Sequence, residues 1–160
     1  MGWEVKCWDN VLNIKNGKDH KKVSEQGGEY PIIGSGGQMG NASEYLSEAN
    51  SVVIGRKGTI DKPFLVRERF WNVDTAFGLE ANSSILHYEY LFQFCKFFDF
   101  QSLNKTVTLP SLTKSDLLRI QMPLPPLSIQ SRFADFVRQS DKSKFVALRA
   151  AKLLHTNIIT

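Results

Sequence analysis

The segment that most limits what this chain can fold into is Met122-Pro123-Leu124-Pro125-Pro126, followed by a run to Thr160 that contains neither proline nor glycine. Each proline removes a backbone donor and pushes the residue before it into an extended conformation, so the segment is neither a helix interior nor a central strand. It reads as a stiff, extended strap. A run without proline or glycine is what a long helix requires, and Ser128 is placed to cap its N-terminus. The chain therefore divides into a globular body, residues 1–125, and a strap with a helical arm, residues 126–160.

Taken at alternating steps of four and three, the arm aligns Phe133, Val137, Ser140, Lys144, Ala147, Ala151, Leu154 and Ile158, with Ile129, Phe136 and Leu148 beside them. This is a coiled-coil-like seam over about four heptads, interrupted by two polar residues, Ser140 and Lys144. Such a helix either folds back onto its own body or pairs with a second helix from another copy or another domain. In the second case Phe133, Val137, Ala147, Ala151, Leu154 and Ile158 are the dimerisation contacts. The stripe reaches Thr160 with no glycine or other stop signal, so the helix either continues or is cut short there.

At 160 residues and 42% hydrophobic, the chain is long enough for one domain with a real core. No run has the length of a membrane span, and no cationic-then-apolar leader is present. Lys6 stands where a myristoylation signal needs Ser or Thr. Cys7 and Cys95 are far apart and belong to no Cys-x-x-Cys, which points to reduced thiols and a cytoplasmic location. Residues 126–160 hold six Lys/Arg against two acids, so the net charge of +4 sits entirely on the strap and arm and the body is neutral. A neutral body is a poor non-specific DNA binder, because phosphate neutralisation supplies most of that affinity. Any DNA contact must rest on locally clustered cations and a partner.

Within the body, residues 1–27 begin with a short strand or helix. Strands are expected at 29–33, 51–55, 64–66, 69–73, 104–109 and 119–122, with a turn cluster from Gly34 to Gly40. Residues 88–98 form the one strong body helix, with Tyr88, Leu91, Phe92, Cys95, Phe98 and Phe100 crowding one side as core. Residues 115–118 read as a helical turn. Strands first, helices later, gives an α+β fold: a strand-rich body followed by a long C-terminal helix.

No common catalytic design is written locally. Lys57-Gly58-Thr59 reverses the lysine and glycine of a phosphate-wrapping loop, and Gly34-x-Gly36-Gly37 lacks the register and context of a dinucleotide cradle. The Asn/Asp-Pro-Pro-aromatic segment with which amino-methyltransferases hold a flipped adenine is missing. His20, His87 and His155 stand apart from cysteines and acids, so no metal site is expected. Glu4-x-Lys6 has no upstream acid to complete a nuclease site. The chain reads as non-catalytic.

Several segments, taken in order, resemble the DNA-specificity subunit of type I restriction-modification enzymes. The strap ending in Pro125-Pro126-Leu127-x-x-Gln130 and opening a long helix resembles the close of each half of that subunit. Trp3-Glu4-Val5-Lys6 resembles its opening, and Gly28-Glu29-Tyr30-Pro31-Ile32-Ile33-Gly34-Ser35-Gly36-Gly37 its tyrosine-proline-to-glycine turn. Val52-Val53-Ile54-Gly55-Arg56-Lys57-Gly58-Thr59-Ile60 resembles its strand followed by Arg-x-Gly-Thr, and Trp71-Asn72-Val73-Asp74-Thr75-Ala76-Phe77 its Asp-Thr-Ala segment. The family usually joins two target-recognition domains and two helices in one chain, whereas this chain has one of each and looks like a half-subunit. The resemblance implies double-stranded DNA as ligand, with a modification (methyltransferase) subunit and a restriction (motor-nuclease) subunit as partners. S-adenosylmethionine and the adenine chemistry would then reside on the modification subunit, with no cofactor in this chain.

Four segments concentrate donors suited to DNA. Lys15, Lys18, Lys21 and Lys22, partly offset by Asp19 and Glu25, are either a solvated loop or mobile phosphate contacts. Ser35, Gln38 and Asn41 lie in or beside the glycine turn; Gln and Asn suit bidentate reading of adenine edges, and an ordinary polar hairpin is the alternative. Arg56 and Lys57 project from a strand end, toward guanine or phosphate, or else Arg56 anchors an internal salt bridge to Asp61 or Asp74. Lys105, Thr106 and Lys114 are the fourth candidate, and Asp74-Thr75 reads as structural. The rival to sequence-specific DNA recognition is a helix-dimerised module whose body binds protein or glycan.

Overall fold

A computed structural model describes the backbone of residues 2–158 and the side chains as far as Lys152. The elements are β1 (Glu4–Cys7), β2 (Leu12–Asn16), β3 (Tyr30–Gly34), β4 (Gly37–Ala42), β5 (Ser51–Gly55), β6 (Phe64–Val66), β7 (Trp71–Asn72), β8 (Ala76–Ala81), α1 (Tyr88–Phe97), α2 (Lys114–Leu118), β9 (Gln121–Leu124) and α3 (Leu127–Ile158). The class is α+β, as the order of strand-like and helix-like segments implies.

An antiparallel four-stranded sheet runs in the order β2-β8-β5-β6, and a three-stranded sheet in the order β4-β3-β7, with β7 parallel to β3. Alternation along β5 explains why the two sheets stack. Val52 and Ile54 point into the main core with Leu91 and Cys95 of α1, together with Trp8, Phe77 and Leu79. Val53, on the opposite face, joins Ile33 of β3, Phe70 and Ala76 between the sheets. A strand buried on both faces reads as the unbroken apolar run seen here. Burial pushes the Cys95 thiol pKa up, so it is an inert core group.

Helix α1 starts at an imidazole cap: His87 Nδ1 accepts from the Glu89 N–H at 3.1 Å. Accepting requires a neutral ring, and burial, with Arg138 nearby, lowers the His87 pKa in that direction. Glu89, buried in the first turn, is held by Arg67 at 2.9 Å, with its negative charge at the positive end of the helix. The expected side of α1 is turned inward, with Leu91 and Cys95 buried, while Phe97, on the other side of the helix, is 86% exposed.

The strap is itself a strand. β9 pairs antiparallel with β1, Val5 opposite Pro123, so the opening of the chain closes on the segment that precedes the arm. An edge position tolerates Pro123, whose missing N–H is needed by no neighbour. Behind it, Gln130 is fully buried and clamps three backbone groups. Its Oε1 accepts from His87 N at 2.8 Å, and its Nε2 donates to Ile85 O at 2.9 Å and Pro125 O at 2.8 Å. The arm is thereby fixed to the body at its first turn.

Only the start of α3 folds back. Gln130 and Ala134 are fully buried, Val137 is half-buried, and the Phe133 ring sits edge-on to Tyr90 at 6.1 Å. From Asp141 to Lys152 every residue is exposed. At 100° per residue the body-facing line through Gln130 and Ala134 lies beside the seam, so Phe136, Ala147 and Ala151 face solvent. The side chains of Leu154 and Ile158 lie outside the described residues.

Four expectations are corrected. The Gly34–Gly40 turn cluster is a tight hairpin in which Gly37–Ala42 is strand, because pairing with β3 overrides a glycine-rich sequence. Residues 104–109 form a loop, since Asn104 bonds back to its own neighbours. Helix α3 begins at Leu127, with Pro126 O accepting from Ile129 N and Gln130 N, so Ser128 is inside the first turn and not its cap. The short strand ahead of α3 is Gln121–Leu124, two residues later than expected.

Candidate nucleic-acid interface

Strand polarity gathers one set of turns at a single end of the two larger sheets. β2 exits there at Asn16, β5 at Gly55 and β7 at Asn72, and β8 enters at Ala76. The registers Asn16↔Phe77, Gly55↔Ala76 and Ile33↔Asn72 hold these ends level. The β3–β4 hairpin tip, Gly34 to Gly37, lies at the same end.

Asn72 ties them together. It is fully buried; Ser47 Oγ donates to its Oδ1 at 2.8 Å, and its Nδ2 donates to Lys15 O and Ala76 O, both at 3.1 Å. One carboxamide thus links β2, β7 and the start of β8. The backbone crosses closely enough around it to demand glycine: a methyl group on Gly17 would stand 1.7 Å from Val73 O, and one on Gly55 would stand 1.7 Å from Thr59 O.

Arg56 leaves this base with its backbone held on both sides. Its N–H donates to Thr75 O at 2.7 Å and its carbonyl accepts from Leu112 N at 2.8 Å. The half-buried side chain lies over the Phe77 ring, guanidinium carbon 5.9 Å from the centroid. Neither Asp61 nor Asp74 pairs with it, and among the described residues no ion pair involves Arg56. An arginine braced along its stem with unspent donors is pre-organised for a planar acceptor pair. Lys57, beside it, is exposed, and its backbone bridges to Ser111. Gly58 (φ 87°) turns the chain and donates to Pro110 O at 2.9 Å. A methyl group there would stand 3.8 Å from Ser35 Oγ, which places the hairpin tip against this turn.

Of the expected contacts, Arg56, Lys57, Ser35 and Gln38 therefore share one end. Gln38, opposite Ile33 near the tip, is exposed, and its amide makes only a 3.4 Å contact with Gly40 O. Lys105 and Thr106 join through the loop that packs on Lys57 and Gly58, though Lys105 is paired to Asp116 at 2.9 Å. That ammonium, with the Thr113 hydroxyl, holds the Asp116 carboxyl below its usual range. Asn41 is not brought to the cluster: its Nδ2 donates to Gly28 O at 2.9 Å, well down the hairpin from the tip. Lys21 and Lys22 are also elsewhere, in a turn beside Trp71, Glu44 and the far end of β4. Sequence spacing put Lys15 to Lys22 in one loop, but the chain turns at Lys18, whose N–H donates to Asn72 O at 3.0 Å, and runs away from the shared end.

Asn72 is the residue that sequence reading missed, although the segment around it was singled out. An asparagine beside a tryptophan in a short strand is against strand preference, and that was the available signal. Among the described residues no group of His, Cys, Asp and Glu is arranged to hold a metal ion, and no helix is long and apolar enough to cross a membrane.

Residues 1–153 match the family model described as type I restriction modification DNA specificity domain. No curated protein sequence matches the chain. Among solved structures, the type I restriction-modification S subunit from M. genitalium is similar with a TM-score of 0.70 at 16% identity, over 89% of this chain and 40% of that one. The HsdS subunit from Thermoanaerobacter tengcongensis gives 0.71 at 19% identity, over 93% and 40%. A chain from a structure of the type I R-M system, described for its complex assembly and conformational transition, gives 0.74 at 18%, over 93% and 40%. At these identities the likeness is one of fold, and this chain spans 40% of the length of the chains it matches.

Proposed function

The chain belongs to the type I restriction-modification DNA specificity domain family, and on that premise we propose that it acts as a half specificity subunit, non-catalytic itself. Its body reads one half of a bipartite site in double-stranded DNA, and its arm sets the distance to a second body. The observation that carries this reading is the shared strand end, where Arg56, Lys57, Ser35 and Gln38 stand on a rigid base, with Arg56 in no ion pair among the described residues. Such an array offers a fork for guanine, an amide for adenine and a cation for phosphate. A modification subunit would hold S-adenosylmethionine and perform the adenine methylation, and a motor-nuclease subunit would join for restriction, all in the cytoplasm. Co-purification with the neighbouring modification subunit, followed by mapping of methylated bases, tests this. Methylation confined to a defined sequence supports it; a complex that methylates DNA without sequence preference, or no complex at all, contradicts it.

The arm supplies the second half by pairing with another copy. Phe136, 66% exposed, and exposed Ala147 and Ala151 form a stripe with nothing from the body on it. A symmetric pair would read an interrupted palindrome whose spacing follows helix length and geometry. Ala147→Asp, on the free part of the arm, should weaken self-association at least about tenfold, equivalent to about 1.4 kcal/mol, while leaving the melting temperature of the body unchanged. Sedimentation equilibrium checks this, and a wild-type chain that stays monomeric at high micromolar concentration rules the pairing out.

A further inference from the structure

The loop after the 3-10 turn Phe100–Leu103 holds apolar residues in open water: Val107 is 101% exposed and Leu109 is 53% exposed. This loop is not loosely held. Asn104 Oδ1 accepts from Thr106 N at 3.1 Å, Thr106 Oγ1 at 2.9 Å and Ser111 N at 3.1 Å, and its Nδ2 donates to Thr106 O at 3.0 Å. The Thr106 hydroxyl also reaches the Leu109 carbonyl. Lys105 is anchored on Asp116 at 2.9 Å. At its far end Pro110 O accepts from Gly58 N at 2.9 Å, and Ser111 bridges to Lys57. Thr106-Val107-Thr108-Leu109 is thus a pre-formed projection built onto the turn that carries Arg56 and Lys57. Among the described residues none covers Val107.

Resting on the reading of the shared strand end as the DNA-facing surface, we propose that this loop is an apolar reader that enters the major groove beside Arg56 and sets Val107 against the 5-methyl group of a thymine. The thymine methyl is the apolar group that base edges present in that groove, and it is the natural counterpart of a bare β-branched side chain. Exposed Thr108 flanks Val107 with a hydroxyl that suits either donors or acceptors on neighbouring bases, while the Thr106 hydroxyl, whose proton is used within the loop, can only accept. The Lys105 ammonium and Lys57 lie beside the loop, where phosphates of the same groove would pass.

The test uses the complex with the modification subunit and duplexes of its mapped site, in which each thymine in turn is replaced by deoxyuridine, removing the methyl group alone. The wild-type complex should lose roughly fourfold in affinity at one position per half-site, the worth of one buried methyl group. Val107→Ala should bind the thymine duplex about as weakly as wild type binds the deoxyuridine one, and should no longer distinguish the two. No deoxyuridine effect at any position, a half-site without thymine on either strand, or a Val107→Ala complex that still distinguishes the two duplexes overturns the assignment while specific binding persists. A Val107→Ala chain that keeps the DNA ranking but no longer co-purifies with the modification subunit overturns it in favour of a protein contact. A wild-type complex with no sequence preference overturns both this inference and the functional reading beneath it.

Discussion

Replacing Asn72 with leucine is expected to lower the stability of this chain by about 3–5 kcal/mol, from three buried groups that each lose a partner. The two side chains share a branched heavy-atom skeleton and leucine is the bulkier, so no cavity opens and the loss is chiefly polar. Ser47 Oγ–H would face an apolar group, and Lys15 O and Ala76 O would lose the amide that now donates to them at 3.1 Å. Against a typical domain stability of about 5–15 kcal/mol, this corresponds to a fall in melting temperature of about 6–20 °C. Ser47→Ala removes only one donor from the same knot and should cost about 1 kcal/mol. Thermal denaturation of the two variants checks the gradation. Equal melting temperatures for Asn72→Leu and wild type would show that the strand ends do not depend on this carboxamide.

Gln130→Leu is expected to release the arm without unfolding the body. Three hydrogen bonds of 2.8–2.9 Å are lost, nominally on the order of 3 kcal/mol or more. The true cost is capped, because once the first turn of α3 lifts away, water can reach the freed groups. The signature is local: the His87 amide, which now donates to Gln130 Oε1, should lose hydrogen-exchange protection while the β5 amides keep theirs. With the arm no longer fixed in angle, the complex should tolerate half-site spacings that the wild type rejects. Unchanged protection at His87 together with unchanged spacing preference would remove Gln130 from the account.

What was legible in the sequence followed the physics that sequence pattern records. The β-branched run Val52-Val53-Ile54 could only be a buried strand, and the stretch after Pro126 could only be a helix. Pattern failed where a segment's state is fixed by a neighbour distant in sequence. Gly37–Ala42 has little strand preference and becomes a strand by lying against Tyr30–Gly34. Thr106-Val107-Thr108 has high strand preference and is a loop because Asn104 closes it locally. The candidate interface divided in the same way. Arg56 was legible as a residue at the end of a stiff strand. Asn41 was not legible as a structural tie, since its partner Gly28 is thirteen residues away. Lys21 and Lys22 were grouped with Lys15 by adjacency alone, before the chain's turn at Lys18 separates them. The arm was read correctly as a helix, but the sequence could not show that its first three turns are occupied by the body and that residues 141–152 are exposed.

The most direct test of the central claim, that the shared strand end reads DNA bases, is the paired measurement of melting temperature and methylation-site profile for Arg56→Lys in the assembled complex. Lysine keeps the charge and loses the fork. If Arg56 reads a guanine, discrimination at one base pair should fall by about 1–3 kcal/mol, with non-specific binding and melting temperature nearly unchanged. A lowered melting temperature with every base position still ranked as in the wild type would make Arg56 a structural residue and contradict the claim.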